Sequence, residues 1–227
     1  MFQSPPVADR PRMVVRSAAV LLVYVVAIAL FCRSALVSGF DLGFGERGDA
    51  IIQIAILEHW RNVLAGVAAW DTSFYFHPYH ATLGYNDGYL LYGLVYSGWR
   101  LIADPFHADT LNILTFKTIG FAAAYALVAR SLGWGQRTGL AVALLWTVAS
   151  NITLQAVHAQ LQSVALQPVA MMLAIATVRA EQAGRPTRAR FAAMGLALLL
   201  AAWLLTSFTW RGSRSSPLVF ISPAGRW

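Results

Sequence analysis

The chain has 227 residues, 58% hydrophobic and 12% charged, with a mean hydropathy of +0.56; an ordinary soluble domain carries about 25% charged residues, so that class is excluded. The formal charge of +7 and pI near 10.1 would suit a nucleic-acid binder, but the sixteen Arg and one Lys fall between apolar runs and form no stripe, which excludes that partner. A single cysteine, Cys32, excludes an intrachain disulfide.

Residues 1–12 carry Arg10 and Arg12 and read as a cytoplasmic N-terminus. The first apolar segment, "MVVRSAAVLLVYVVAIALF", is too long for the core of a signal peptide and lacks a small-residue cleavage site, so it reads as a retained signal anchor. A membrane-crossing helix needs roughly 20 apolar residues. Five runs approach that length: about Met13 to Ala35, Leu111 to Ala129, Gly139 to Thr153, Gln162 to Val178 and Phe191 to Phe208. The third is short and is expected to extend toward His158. A sixth, Gly88 to Ala103, holds Arg100 and several Gly, Tyr and Trp residues. The predicted fold is therefore all-α: a polytopic membrane protein with about five or six transmembrane helices over residues 13–208, plus an external layer of membrane-parallel helices.

Arginines choose between the two counts, because they collect in short cytoplasmic loops. Arg130 and Arg137 flank one loop, and Arg179, Arg185, Arg188 and Arg190 fill another. If Gly88 to Ala103 crossed the membrane, parity would put both loops outside; it is therefore read as interfacial or re-entrant. The loop 36–110 then lies wholly outside, in the periplasm of a bacterial inner membrane, and holds eight of the ten acids: Asp41, Glu46, Asp49, Glu58, Asp71, Asp87, Asp104 and Asp109. After Phe208 the pattern breaks. Residues 209–227 turn to Ser, Pro, Gly and Arg on what should be the outer side, as expected of a chain cut short or read out of frame.

Within the outer loop, "GDAIIQIAILEHWRNVLAG" has a helical period that sets Ile52, Ile56, Leu57, Trp60, Val63 and Leu64 on one side and Glu58, Arg61 and Asn62 on the other. That predicts an in-plane amphipathic helix with an interfacial Trp and with Asp49 at its N-cap. Glu58 and His59 are expected on its surface. The aromatic-dense stretch "WDTSFYFHPYHATLGYNDGYLLYG" follows, with Pro78 imposing an irregular path. Aromatics at a membrane surface are ordinary belt residues. A long outer loop of mixed apolar and acidic character suggests in addition a packed functional layer.

Taken together, "GD" before "LEHWRNVLAG", then "FHPYHATLGYNDGYLLYGLVYSGWRL" and later "HAQLQ", this region resembles the glycosyltransferase C superfamily over roughly residues 39 to 180. Those integral-membrane enzymes take sugars from polyprenyl-phosphate donors, and their first external loop carries an essential acidic residue. The resemblance implies transfer of a sugar from a lipid-linked donor to an envelope acceptor, with Asp49 as general base and Asp87 orienting the acceptor or holding a divalent cation. Two departures stand against the family pattern. Asp49 has no Asp-X-Asp or Asp-Glu partner, and family members run on through several more spans, so the chain reads as their N-terminal part.

Other residues join the candidate site as substrate contacts. His158 and Gln160 open an apolar span on the outer face, where they could meet the donor phosphate or make a local helix-end hydrogen bond. Lys117 sits mid-span, where a charge is costly and faces the bundle interior or a cavity; it could pair with a carboxylate or the lipid phosphate. Glu58 and His59 complete the set. His59, His77, His80 and His107 lack zinc-ligand spacing, and no glycine-rich phosphate loop follows a strand. The alternative is a non-enzymatic multi-span protein, either part of a transporter or an envelope-assembly scaffold. Paired broken helices or repeat symmetry would mark the transporter, and the sequence has neither. Sugar, acceptor and oligomeric state are not encoded in any motif present.

Overall fold

In a computed structural model the chain is described over residues 10–41, 44, 47–85, 87–149 and 163–207, and these residues are all-helical, without strands. Among them, eight α-helices follow in order: α1 Arg10–Phe31, α2 Arg33–Val37, α3 Arg47–Leu64, α4 Leu90–Trp99, α5 Pro105–Ala126, α6 Gln136–Val148, α7 Gln167–Gln182 and α8 Pro186–Ser207. Short 3-10 turns at Phe74–Phe76, Leu83–Tyr85 and Ser163–Leu166 interrupt the connections, and α5 runs on through a π-helical turn at Leu127–Ser131.

Local chemistry sets several of these ends. Asp104 caps α5, its carboxylate accepting from the Phe106 and His107 amides at 2.9 and 3.2 Å, and Pro105 occupies the first turn, where no amide is needed. The first amides of α4 are met by the end of another helix: Tyr89 N–H donates to the Thr206 carbonyl at 3.1 Å, and Leu91 N–H to the Thr206 hydroxyl at 3.0 Å. Glycines with positive φ, Gly133 at 74° and Gly135 at 87°, reverse the chain between α5 and α6.

Three helical stretches are long and apolar enough to cross a membrane: Pro105–Ser131 with 27 residues, Val164–Gln182 with 19 and Pro186–Thr206 with 21. The remaining expected spans fall short of that length among the described residues. The apolar part of α1 runs over Ser17–Phe31, and α6 has 13 residues, about 20 Å of rise. The expected extension of α6 toward His158 lies outside the described residues, as do His158, Gln160 and residues 209–227. Helix α4, at ten residues, rises about 15 Å, half the roughly 30 Å hydrocarbon core.

Helix α5 is the centre of the bundle. It packs against α1, α4, α6 and α7, and 56% of its apolar window is buried, against 17% and 11% for α7 and α8, which pack along each other. Leu198, Leu204, Met171 and Val178 on those two helices, and Leu21, Leu22 and Val25 on α1, are exposed apolar side chains. Lipid solvates such surfaces at no cost. Small residues allow the closest approaches, Gly120 against Ala165 and Gly139 against Ala129.

The two ends of the bundle differ in charge. Arg179 at the end of α7 donates to the Ser131 carbonyl at 2.5 Å, joining the two basic loops. Arg130, Arg137, Arg179, Arg185, Arg188 and Arg190 therefore share one end, with Glu181 the acid among the described residues there. At the other end, α3 and α4 cover the start of α5 and the end of α8.

Candidate functional site

Helix α3 lays Gln53, Ile56, Leu57, His59 and Trp60 into the protein, with Ile52 packed against the same apolar cluster as Tyr92, Tyr96 and Phe116. The apolar period predicted this face in part. That face is expected against the membrane, and Leu64 is exposed, but Trp60, expected at the interface, is 8% exposed and packed inside; His59, expected on the surface, is 1% exposed with its Nε2 at 3.2 Å from the Trp70 carbonyl. The helix begins at Arg47, so Asp49 stands in its first turn instead of at the N-cap. There the positive end of the helix dipole still favours its carboxylate.

Trp60 anchors the layer. Its indole N–H donates to the Gly88 carbonyl at 2.5 Å, in a buried contact between α3 and the start of α4. A side chain at Gly93 would collide with the Trp60 ring, and one at Gly88 with the Leu205 carbonyl. The segment 87–89 is thus pinned between α3 and α8, and Tyr89 adopts a left-handed φ of 52° that a non-glycine residue seldom takes.

Three carboxylates act on this segment. Gln53, one helical turn after Asp49 on the same face of α3, donates from Nε2 to Asp109 Oδ1 at 2.7 Å, fully buried. Asp87 directly precedes Gly88. Burial raises the Tyr89 phenol above its ordinary pKa, and the negative fields of Asp87, Asp49 and Asp109 raise it further. Asp49 is exposed, Asp87 half-buried and Asp109 buried, so the group runs from the surface into the start of α5. Among the described residues no three His, Cys, Asp or Glu side chains are close enough to hold a metal ion. The divalent cation that the resemblance implies at Asp87 would therefore have no three-ligand cluster of described residues around it.

Glu58 belongs elsewhere. Its Oε1 accepts from the Tyr96 hydroxyl at 2.7 Å and from Arg100 Nε at 2.5 Å, while Oε2 accepts from Arg61 at 3.0 Å. Burial pushes this carboxyl up, and the hydrogen bonds from Tyr96, Arg100 and Arg61 outweigh it, holding the group below its usual range. Glu58 is expected from the sequence on the outer surface of α3; instead it clamps α3 to α4, and Arg100 continues the clamp to the Ala103 carbonyl at 2.5 Å.

Lys117 is 2% exposed and lies eight residues beyond Asp109, about 12 Å deeper along α5. Its Nζ sits 4.5 Å from the centre of the Phe31 ring at the end of α1, a cation–π contact that suits an ammonium at that depth. Two further polar groups occur on this side of α5. The Asn112 amide and the Tyr92 hydroxyl are buried and find no hydrogen-bond partner among the described residues.

Of the residues singled out from the sequence, Asp49 and Asp87 both act electrostatically on Tyr89, while Glu58, His59 and Lys117 serve separate contacts. Gln53, Tyr89, Asp109 and Asn112 are the residues that sequence reasoning passed over. A signal existed for two of them. "HADTLN" places an acid and an amide in the first two turns of an otherwise apolar span, where polar side chains are costly.

No protein-family model, no curated protein and no solved structure matches this chain.

Proposed function

We propose that the chain is a membrane glycosyltransferase that moves a sugar from a polyprenyl-phosphate donor to an acceptor hydroxyl, at the carboxylates Asp49, Asp87 and Asp109. Support comes from two observations beside the amphipathic helix α3: Gln53 on α3 is tied to Asp109 on α5 at 2.7 Å, and the negative fields of Asp49, Asp87 and Asp109, from three different segments, all act on the Tyr89 phenol. In this reading α1, α5, α6 with its continuation, α7 and α8 make five crossings of a bacterial inner membrane, and α3 and α4 form the outer layer at the periplasmic face.

The chemistry asks for a base and for charge management at the leaving group. Asp49, exposed at the start of α3, takes the proton from the acceptor hydroxyl as that oxygen attacks the anomeric carbon. The bond from this carbon to the phosphate oxygen breaks with its electron pair, leaving the polyprenyl phosphate, and the proton passes from Asp49 to water. Asp87, held beside Gly88, orients the acceptor. Asp109, tied to Gln53, fixes the position of α3 relative to α5.

The test is sugar transfer by membranes containing the chain, with a radiolabelled polyprenyl-phosphate sugar. Loss of a general base costs about 10²- to 10⁴-fold, so Asp49→Asn is expected to fall by at least the lower figure, with Glu58→Gln much less affected. Full activity in Asp49→Asn would overturn the assignment of the base. Absence of transfer by the wild-type chain under the same conditions would overturn the enzymatic reading.

A further inference from the structure

At the opposite end of the molecule a cleft of about 1010 Å³ opens between α1, α5 and the start of α6. Val20 and Leu21 form one wall, Phe121 and Ala122 the other, and Arg130 lies at the mouth. We propose that this cleft holds one anionic phospholipid of the adjoining leaflet, its phosphodiester at Arg130 and an acyl chain along Val20, Leu21 and Phe121. The inference is independent of the transfer reaction, because the cleft lies at the basic end and Asp49 at the other.

Charge complementarity argues for this occupant. Arg130 makes no hydrogen bond or ion pair with a described residue, whereas Arg179 at the same end is committed to the Ser131 carbonyl. No acid lines the cleft among the described residues, and five further arginines around Glu181 raise the local positive potential. Phosphate is the anion that a guanidinium binds with parallel hydrogen bonds. Arg130 also lies within the π-helical turn Leu127–Ser131, where Leu132 N–H reaches back to the Leu127 carbonyl at 2.8 Å; such turns are frequent at functional sites.

Dimensions argue for a lipid over a free anion. From Arg130 to Phe121 is nine residues, about 14 Å of helix, close to the roughly 15 Å depth of one leaflet's hydrocarbon. On the wall the Tyr24 and Thr118 hydroxyls bond each other at 2.9 Å, and although Ser17, Tyr125 and Gln136 add polar groups, Val20, Leu21, Phe121, Ala122, Ala126 and Ala129 leave most of the surface apolar for a chain. Leu21 is 62% exposed and Leu22 66%, leaving the cleft open toward the bilayer.

Native mass spectrometry of the full chain in mild detergent tests this, using phosphatidylglycerol and phosphatidylethanolamine with identical acyl chains. The wild type is expected to retain phosphatidylglycerol about tenfold over phosphatidylethanolamine, the size of one charge-assisted contact. Arg130→Gln should bring the ratio within about twofold of unity, Arg130→Lys should keep part of it, and Arg188→Gln, outside the cleft, should leave it unchanged. Ala122→Trp fills the wall without touching charge and should weaken both lipids, which carries the test if Arg130→Gln fails to fold. An unchanged ratio in Arg130→Gln, or a wild type that retains polyprenyl phosphate in preference to phosphatidylglycerol, would overturn the proposal.

Discussion

Glu58 shows how a residue's role follows from partners distant in sequence. Arg61 is its neighbour on the helix, and the i,i+3 spacing makes that pair visible in the sequence; Tyr96 and Arg100 lie 38 and 42 residues away, and no periodicity reveals them. Because those hydrogen bonds hold the Glu58 carboxyl below its ordinary pKa, its contribution to stability is complete above the unfolded value, near 4.3. It is lost as the pH falls through the lower, folded value. The melting temperature in detergent should therefore drop from about pH 4.3 downward in the wild type, and Glu58→Gln should flatten the drop. At pH 7 the same variant should lose about 1 to 2 kcal/mol, a figure kept small because the Glu58 and Arg100 side chains retain 20% and 16% exposure. A wild-type profile as flat as that of Glu58→Gln would show the clamp to be weak. Tyr92 supplies the opposite case. Its buried hydroxyl has no partner among the described residues, so Tyr92→Phe should raise stability by about 1 kcal/mol, and a fall of that size would reveal a partner in the membrane-bound protein.

At the scale of elements, the seam between α3 and α4 depends on the absence of a side chain. Gly93 faces the Trp60 ring, and that ring cannot swing away without giving up its 2.5 Å hydrogen bond to Gly88. Gly93→Ala should therefore cost about 1 to 3 kcal/mol through overpacking. Gly98, one and a half turns later on the same helix, faces open space, with nothing within 4 Å of where a methyl group would stand. Gly98→Ala should accordingly be neutral or stabilising by up to about 1 kcal/mol through helix propensity. Denaturant midpoints of the two variants, measured together, separate packing from propensity; equal shifts would remove the seam from the account. Helix α3 was legible in the sequence because its apolar residues recur at helical spacing. Its rotation was legible only in part, since burial of Gln53 and His59 is set by Asp109 and the Trp70 carbonyl, which belong to other segments. Helix α4 showed the reverse problem: its Gly, Tyr and Trp content gives no period, and its existence follows from contacts with α3, α5 and α8.

For the whole molecule, the sorting of charge was the most legible property, because loop arginines are local in sequence and need no packing argument. The span count was less so. Length and hydropathy identify α5, α7 and α8, while α6 stops at Val148 among the described residues, and its continuation decides how many times the chain crosses. The contact of Arg179 with Ser131 bears on this directly. It puts the end of α7 beside the end of α5, so α7 runs from Gln167 back toward the basic end, as a crossing antiparallel to α6 would. Tyr79, 72% exposed between α3 and α4, and Ala183, exposed just after α7, should then lie on opposite sides of the membrane. Cys32 is buried and supplies an unreactive background. In intact cells an impermeant maleimide should label Tyr79→Cys and should reach Ala183→Cys only after permeabilisation, since arginine-rich loops stay cytoplasmic. Labelling of both from the outside would mean an even number of crossings between them. That would remove α6 from the spans and place the arginines and the carboxylates on the same side of the membrane.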